Sequence, residues 1–138
     1  MVLSTLPEAS ILPSGLNAML LTIPSEKYEL LLRLKTRYRV FLLSNTNNIH
    51  LESFNQLVHR DTGLRELDYY FHKAYYSHLM KMRKPDAEIY SHVLSENKLS
   101  PDETLFLDDN FDNIKGAAGL GIKTIHVTSP SMILPLFA

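Results

Sequence analysis

Hydrophobic and polar positions along the chain fall into alternating blocks. Ser25 follows Pro24 at an N-cap position, and Tyr28, Leu31, Leu32 and Leu34 give an apolar stripe ahead of Lys35, Arg37 and Arg39, which predicts a helix over 25–37. Tyr38 to Leu43 is β-rich and apolar and stops at the polar run Ser44 to Asn48, as a buried strand does. Leu51, Phe54, Leu57 and Val58 recur at helical spacing over 48–60. Residues 70–76 read as a strand, and Pro85 stands at the first position of a helix carrying Ile89, Tyr90, Val93 and Leu94. Ser100 and Glu103 have capping-box spacing before a short strand over 104–107. A helix over 111–118, a stop at Gly119 and Gly121, and a strand over 123–127 complete the series.

Strand and helix alternate throughout, so the expected fold class is α/β, a doubly wound, mostly parallel sheet with helices on its faces. Residues 1–24 read differently. Pro7, Pro13, Gly15 and Pro24 punctuate short apolar groups, which predicts an irregular lead-in with at most a helical turn or two around Leu16 to Leu21, followed by a core over 25–138.

Composition narrows the classes. At 138 residues, 45% of them apolar and 21% charged, the chain suits one hydrophobic core. Fourteen basic against fifteen acidic residues leave a formal charge of -1, which removes the electrostatic case for nucleic acid or an anionic membrane as partner. The absence of Cys excludes disulfides, thiolate metal sites and Cys nucleophiles, and with no apolar run of spanning length the expectation is a cytoplasmic protein.

In an open parallel sheet, ligands bind beyond the carboxyl ends of the strands. Three such ends carry polar residues: Ser44 and Asn45; Lys84 with Pro85 and Asp86; and Asp108 and Asp109 with Asp112 and Asn113 behind them. Ser44 and the amides after it can donate to phosphoryl oxygens. Lys84 can neutralise charge growing on those oxygens, and Asp108 with Asp109 can hold a hard cation such as Mg²⁺. Each feature alone has an ordinary reading as turn, surface lysine or helix cap. Their order on one rim is what raises them.

Three segments carry a family resemblance. Val40 to Asn47, Met82 to Asp86 and Leu105 to Asn113 resemble the second, third and fourth motifs of the haloacid dehalogenase-like (HAD) hydrolases, in that order. The spacings, 40 residues from Ser44 to Lys84 and 24 from Lys84 to Asp108, are similar to those of the capped phosphatase subgroup, which includes glucose-1-phosphatase-type sugar-phosphate phosphatases and the phosphatase domain of epoxide hydrolases. The resemblance implies a Mg²⁺-dependent phosphomonoester hydrolase acting on a small phosphorylated metabolite through an aspartyl-phosphate. It implies Ser44 and Asn45 as phosphate-binding residues, Lys84 as catalytic, and Asp108 and Asp109 at the metal, Asp109 as the more direct ligand.

The family's first motif, a central strand ending in Asp-x-Asp that supplies the nucleophile, has no counterpart here. The first Asp in the chain is Asp61. The chain is therefore expected to match the C-terminal part of such an enzyme, without first-motif strand or helical cap, to bind Mg²⁺ weakly and to be inactive alone. The alternative is a non-catalytic, degenerate or split module that binds a partner. Loss of a central strand would open two rows of backbone groups, each costing about 1–3 kcal/mol if buried unpaired, against a total stability of about 5–15 kcal/mol. Closure of the two flanking strands, the Val2 to Leu6 segment, or another polypeptide could fill the gap, and open edges would favour self-association. Two further expectations are a solvated Glu88–His92 pair and a packing role for Tyr69, Tyr70, Phe71, Tyr75 and Tyr76.

Overall fold

The computed structural model describes residues 2–4, 25–63 and 66–137. The helical turn expected near Leu16 to Leu21 lies outside them. In chain order the elements are β1 (Val2–Ser4), α1 (Ser25–Lys35), β2 (Arg39–Ser44), α2 (Asn48–Thr62), a 3-10 turn (Leu67–Tyr70), β3 (Lys73–Tyr76), α3 (Ser77–Met80), α4 (Ala87–Glu96), a second 3-10 turn (Pro101–Glu103), β4 (Thr104–Asp108), α5 (Phe111–Ala118), β5 (Lys123–His126), a third 3-10 turn (Pro130–Met132) and α6 (Ile133–Leu136). The strands form one sheet in the order β3-β2-β1-β4-β5. β2 with β3 and β4 with β5 are parallel pairs, as expected of an α/β sheet, and their connections run through helices.

The gap between β2 and β4 is filled by β1, running antiparallel to both. Val2, Leu3 and Ser4 pair with Phe41, Val40 and Arg39 on one side and with Phe106, Leu105 and Thr104 on the other. Of the three fillings that the sequence left open, the Val2 to Leu6 segment is the one found, at Val2–Ser4, so the rows at 39–41 and 104–106 are paired and not open edges. A strand of three residues, Val2-Leu3-Ser4, is too short to announce itself in the sequence, which is why 1–24 reads as irregular.

The core is what the strand pattern foretells. Val40, Phe41, Leu42 and Leu43 of β2 and Phe106 and Leu107 of β4 are buried, because both faces of the sheet are covered. The buried arc of α1 runs through Tyr28, Leu30 and Leu34, whereas Leu32, expected inside, is 37% exposed. Residues 67–70 coil instead of extending, and the strand expected over 70–76 is confined to 73–76. Tyr70 is buried by stacking on Tyr28, with ring centroids 5.0 Å apart, not by a ladder. Tyr75 and Tyr76 also pack inside, while Tyr69 is exposed.

Two cap expectations are corrected. α4 begins at Ala87 with Asp86 at its N-cap, so Pro85 precedes the helix; the Lys84–Pro85 peptide is cis. The Ser100/Glu103 capping box does not form, since the Ser100 hydroxyl donates to Asp102 and the Ser100 carbonyl accepts from the Glu103 amide. His92 faces Glu96, at 3.6 Å, not Glu88.

Candidate functional site

The rim at the carboxyl ends of β2 and β4 is built on one buried ion pair. Lys84 Nζ lies 2.9 Å from Asp108 Oδ2 and donates to the Leu43 carbonyl at 2.8 Å, so it bridges β2 and β4. The two side chains are 1% and 0% exposed. Burial pushes the Lys84 ammonium below its usual value, opposed by the negative charge and hydrogen bond of Asp108. Asn113 Nδ2 donates to Asp108 Oδ2 at 3.1 Å, and the Asn110 amide to Asp108 Oδ1 at 2.8 Å, so every carboxylate oxygen of Asp108 has a donor.

The backbone around Lys84 is held from two sides. Asn45 Nδ2 donates to the Lys84 carbonyl (2.9 Å), and Asn45 Oδ1 accepts from the Lys84 amide (3.0 Å). On the other side, a Cβ at Gly116 of α5 would lie 2.6 Å from the Pro85 carbonyl oxygen and 3.1 Å from the Tyr90 ring, so only glycine permits this approach. Tyr90 seals it by donating to the Asn113 carbonyl at 2.9 Å.

The sequence-derived residues thus converge, with distinct roles. Ser44 is buried at the end of β2, and its hydroxyl has no hydrogen-bond partner among the described residues. The Asn45 side chain is committed to Lys84, so anion binding by this residue would fall to its main-chain amide. Asp109 is exposed beside Asp108. Burial against the rim, then the charge of Asp108 and a hydrogen bond to it, hold the Asp109 carboxyl above its usual range. Asp112 turns outward to Lys115, 3.2 Å away, so it stands apart from the carboxylate pair.

Asp109 has the accessible carboxylate that could hold a hard cation, with Asp108 behind it. No cluster of three or more His, Cys, Asp or Glu side chains suited to a metal occurs among the described residues. Two carboxylates fit Mg²⁺ only where water and a phosphoryl group complete six oxygens. Beside the rim, a cleft of about 580 Å³ runs past Thr46, His50, Ser77, His78, Lys81 and Arg83. Its wall is fixed by Ser77, which accepts from the Thr46 amide at 3.0 Å.

Asn113, Tyr90 and Gly116 were not assigned a role by sequence reasoning. The available signal was Asn113, a polar residue beside Ile114 and four before Ala117 on the buried face of α5, where a core position would otherwise be apolar.

A haloacid dehalogenase-like hydrolase family model matches residues 17–121. The chain belongs to that family. D-ribitol-5-phosphate phosphatase of Bacteroides thetaiotaomicron is 34% identical over 100 residues, covering 72% of this chain and 48% of that enzyme. Sesquiterpene phosphatase astK of Aspergillus oryzae is 38% identical over 84 residues, covering 59% and 39%. A HAD family enzyme of B. thetaiotaomicron superposes with a TM-score of 0.80 at 38% identity, covering 88% of this chain and 60% of that one. Its magnesium complex superposes with a TM-score of 0.79 at 39% identity, covering 88% and 61%. The chain spans less than half the length of these two curated relatives. No described helix is long and apolar enough to cross a membrane.

Proposed function

We propose that the chain is the phosphate- and metal-binding part of a HAD-like phosphomonoester hydrolase for small phosphorylated metabolites, and that it does not turn over by itself. The observation that carries this reading is the Lys84–Asp108 pair, buried and bridging the seam beside the unpartnered hydroxyl of Ser44. A cation so held, next to a free donor, suits an oxyanion at the rim. Ser44 and the Asn45 main chain bind phosphoryl oxygens, and Lys84 offsets their charge. Asp109, backed by Asp108, holds Mg²⁺, which when bound supplies charge neutralisation to the phosphoryl group.

The strand that fills the sheet supports inactivity of the chain alone. Val2, Leu3 and Ser4 carry no carboxylate, and no Asp precedes Asp61, so the seam offers no nucleophile for an aspartyl-phosphate. The same observation favours a second reading, a module that binds phosphorylated ligands or a partner without catalysis.

Titration of the chain with Mg²⁺ and inorganic phosphate, followed by ³¹P line broadening, tests the binding site. Broadening that requires Mg²⁺ and is lost in Ser44→Ala and Asp109→Ala supports it, and no broadening overturns it. Calorimetry should find Mg²⁺ alone bound weakly, because two carboxylates leave most of the octahedron to water. Hydrolysis of p-nitrophenyl phosphate that needs Mg²⁺ and disappears in Asp109→Ala would overturn the claim of inactivity.

A further inference from the structure

The main chain of Thr46 is held by side chains. Ser77 Oγ accepts from its amide at 3.0 Å and donates to its carbonyl at 3.2 Å, and Nδ1 of His78 lies 3.1 Å from the same carbonyl oxygen. The register of β2 with β3 has already ended, at Ser44 and Tyr76, so these two side chains of α3 carry the pairing onward where the strands have stopped. A carbonyl oxygen only accepts, which places a ring proton on Nδ1. His78 Nε2 is buried with no hydrogen-bond partner among the described residues, an arrangement unfavourable by itself. α3 starts without a side-chain cap although a serine is its first residue, because that hydroxyl is directed to Thr46.

The segment that begins at Ser77 returns to the same turn. Its far end, Lys84, is bonded through both main-chain groups to the Asn45 carboxamide. Residues 77–84 are thus fastened at their two ends to successive residues of the turn that leaves β2. One residue further, Asn47 caps α2 by accepting from the His50 amide at 3.0 Å. The bonds at Asn45 place Lys84, and the bond at Asn47 starts a helix. Those at Thr46 do neither: they fix the path of the chain between Ser44 and α2.

We propose that Ser77 is a positioning residue for the oxyanion site, holding the main chain of Thr46 so that the Ser44 hydroxyl and the Asn45 amide are in place before a phosphoryl group arrives. This rests on the reading of Ser44 and Asn45 as phosphate-binding residues. Ser77 itself does not touch the phosphoryl group, and the Thr46 amide, already bonded to Ser77, is not one of its donors. Donors fixed in advance need no reordering when the anion binds. Without Ser77 the ligand must order the turn, and fixing the backbone of one residue weakens binding about tenfold.

The test titrates the full chain with inorganic phosphate in the presence of Mg²⁺, read by ³¹P line broadening. Ser77→Ala is expected to bind phosphate about tenfold more weakly, and Ser77→Thr, which keeps the hydroxyl, to return to within about twofold of wild type. Thr104→Val is the control: it removes a hydroxyl-to-carbonyl bond at the start of β4, and should lower the melting temperature without changing phosphate affinity. A second measurement needs no variant. Hydrogen exchange of the Thr46 amide should be slow in the wild-type chain before any phosphate is added. Wild-type affinity in folded Ser77→Ala, equal weakening in Thr104→Val, failure of Ser77→Thr to rescue, or a Thr46 amide protected only once phosphate is bound would each overturn the proposal. Absence of broadening in the wild-type chain would instead overturn the phosphate reading and this inference with it, so the two failures are told apart.

Discussion

The carboxamide of Asn45 makes to the main chain of Lys84 the pair of hydrogen bonds that a neighbouring strand would make, one accepted at 3.0 Å and one donated at 2.9 Å. A side chain at the end of β2 thereby sets the depth at which the lysine enters the sheet.

Replacing that clasp should be costly. Asn45→Ala leaves a donor and an acceptor of Lys84 without partners in a half-buried place, and is expected to lower stability by about 2 kcal/mol in urea denaturation. Asn45→Asp keeps the acceptor alone and should fall between the two. A wild-type midpoint for Asn45→Ala would show that the clasp contributes nothing.

The buried pair should show strong coupling. Lys84→Met strands the Asp108 carboxylate and is expected to cost about 3–5 kcal/mol, whereas Lys84→Met with Asp108→Asn, which neutralises both, should cost distinctly less than the single change. Additive losses in the double-mutant cycle would contradict the pairing.

Four tyrosines set the alkaline limit. Tyr28, Tyr75, Tyr76 and Tyr90 are buried, and desolvation first, then Asp61, Glu96, Asp68 and Asp108 respectively, push each phenol above its ordinary value. Their folded values exceed the unfolded value of about 10, so their contribution is intact below pH 10 and is lost as pH rises beyond it. Each phenol in that window removes about 1.4 kcal/mol per pH unit. Lys84 and Lys27, both lowered by burial, act in the opposite sense but are two groups against four. Phenolate absorbance should therefore appear together with the loss of circular dichroism above pH 10. Reversible titration of all seven tyrosines near pH 10 without unfolding would refute this.

Two glycines of one segment should differ. Gly116→Ala forces a Cβ to within 2.6 Å of the Pro85 carbonyl and is expected to cost about 2 kcal/mol. Gly119→Ala meets nothing nearer than 3.5 Å and should stay within about 0.5 kcal/mol of wild type. Thermal melts of the two proteins side by side decide the matter.

The parts of the site that lie at strand ends were legible, because a buried strand stops where polar residues begin: Ser44, Asp108 and Asp109 stand where the hydrophobic pattern places them. What holds them in position was not. The contact of Gly116 with Pro85 joins residues 31 apart, and the Tyr90–Asn113 bond residues 23 apart. No local period encodes such contacts. Pro85 read as the first residue of a helix because proline favours that position, yet the chain turns over residues 83–86, where the Asp86 amide donates to the Arg83 carbonyl, and the helix starts only at Ala87. β1 was hidden for another reason: three residues carry too little pattern, and the two strands that flank them in space follow 35 and 100 residues later.

The sheet is two parallel pairs joined at the centre by a three-residue strip, and the site is divided along the same line. Ser44, Asn45 and Lys84 belong with the β2–β3 half, and Asp108, Asp109 and Asn113 with the β4–β5 half. The molecule thus resembles a book whose spine is β1 and whose clasp is the bond from Lys84 to Asp108. Any widening between the two halves lengthens that bond, so the distance from Lys84 to Asp108 is a gauge of how far the book is open.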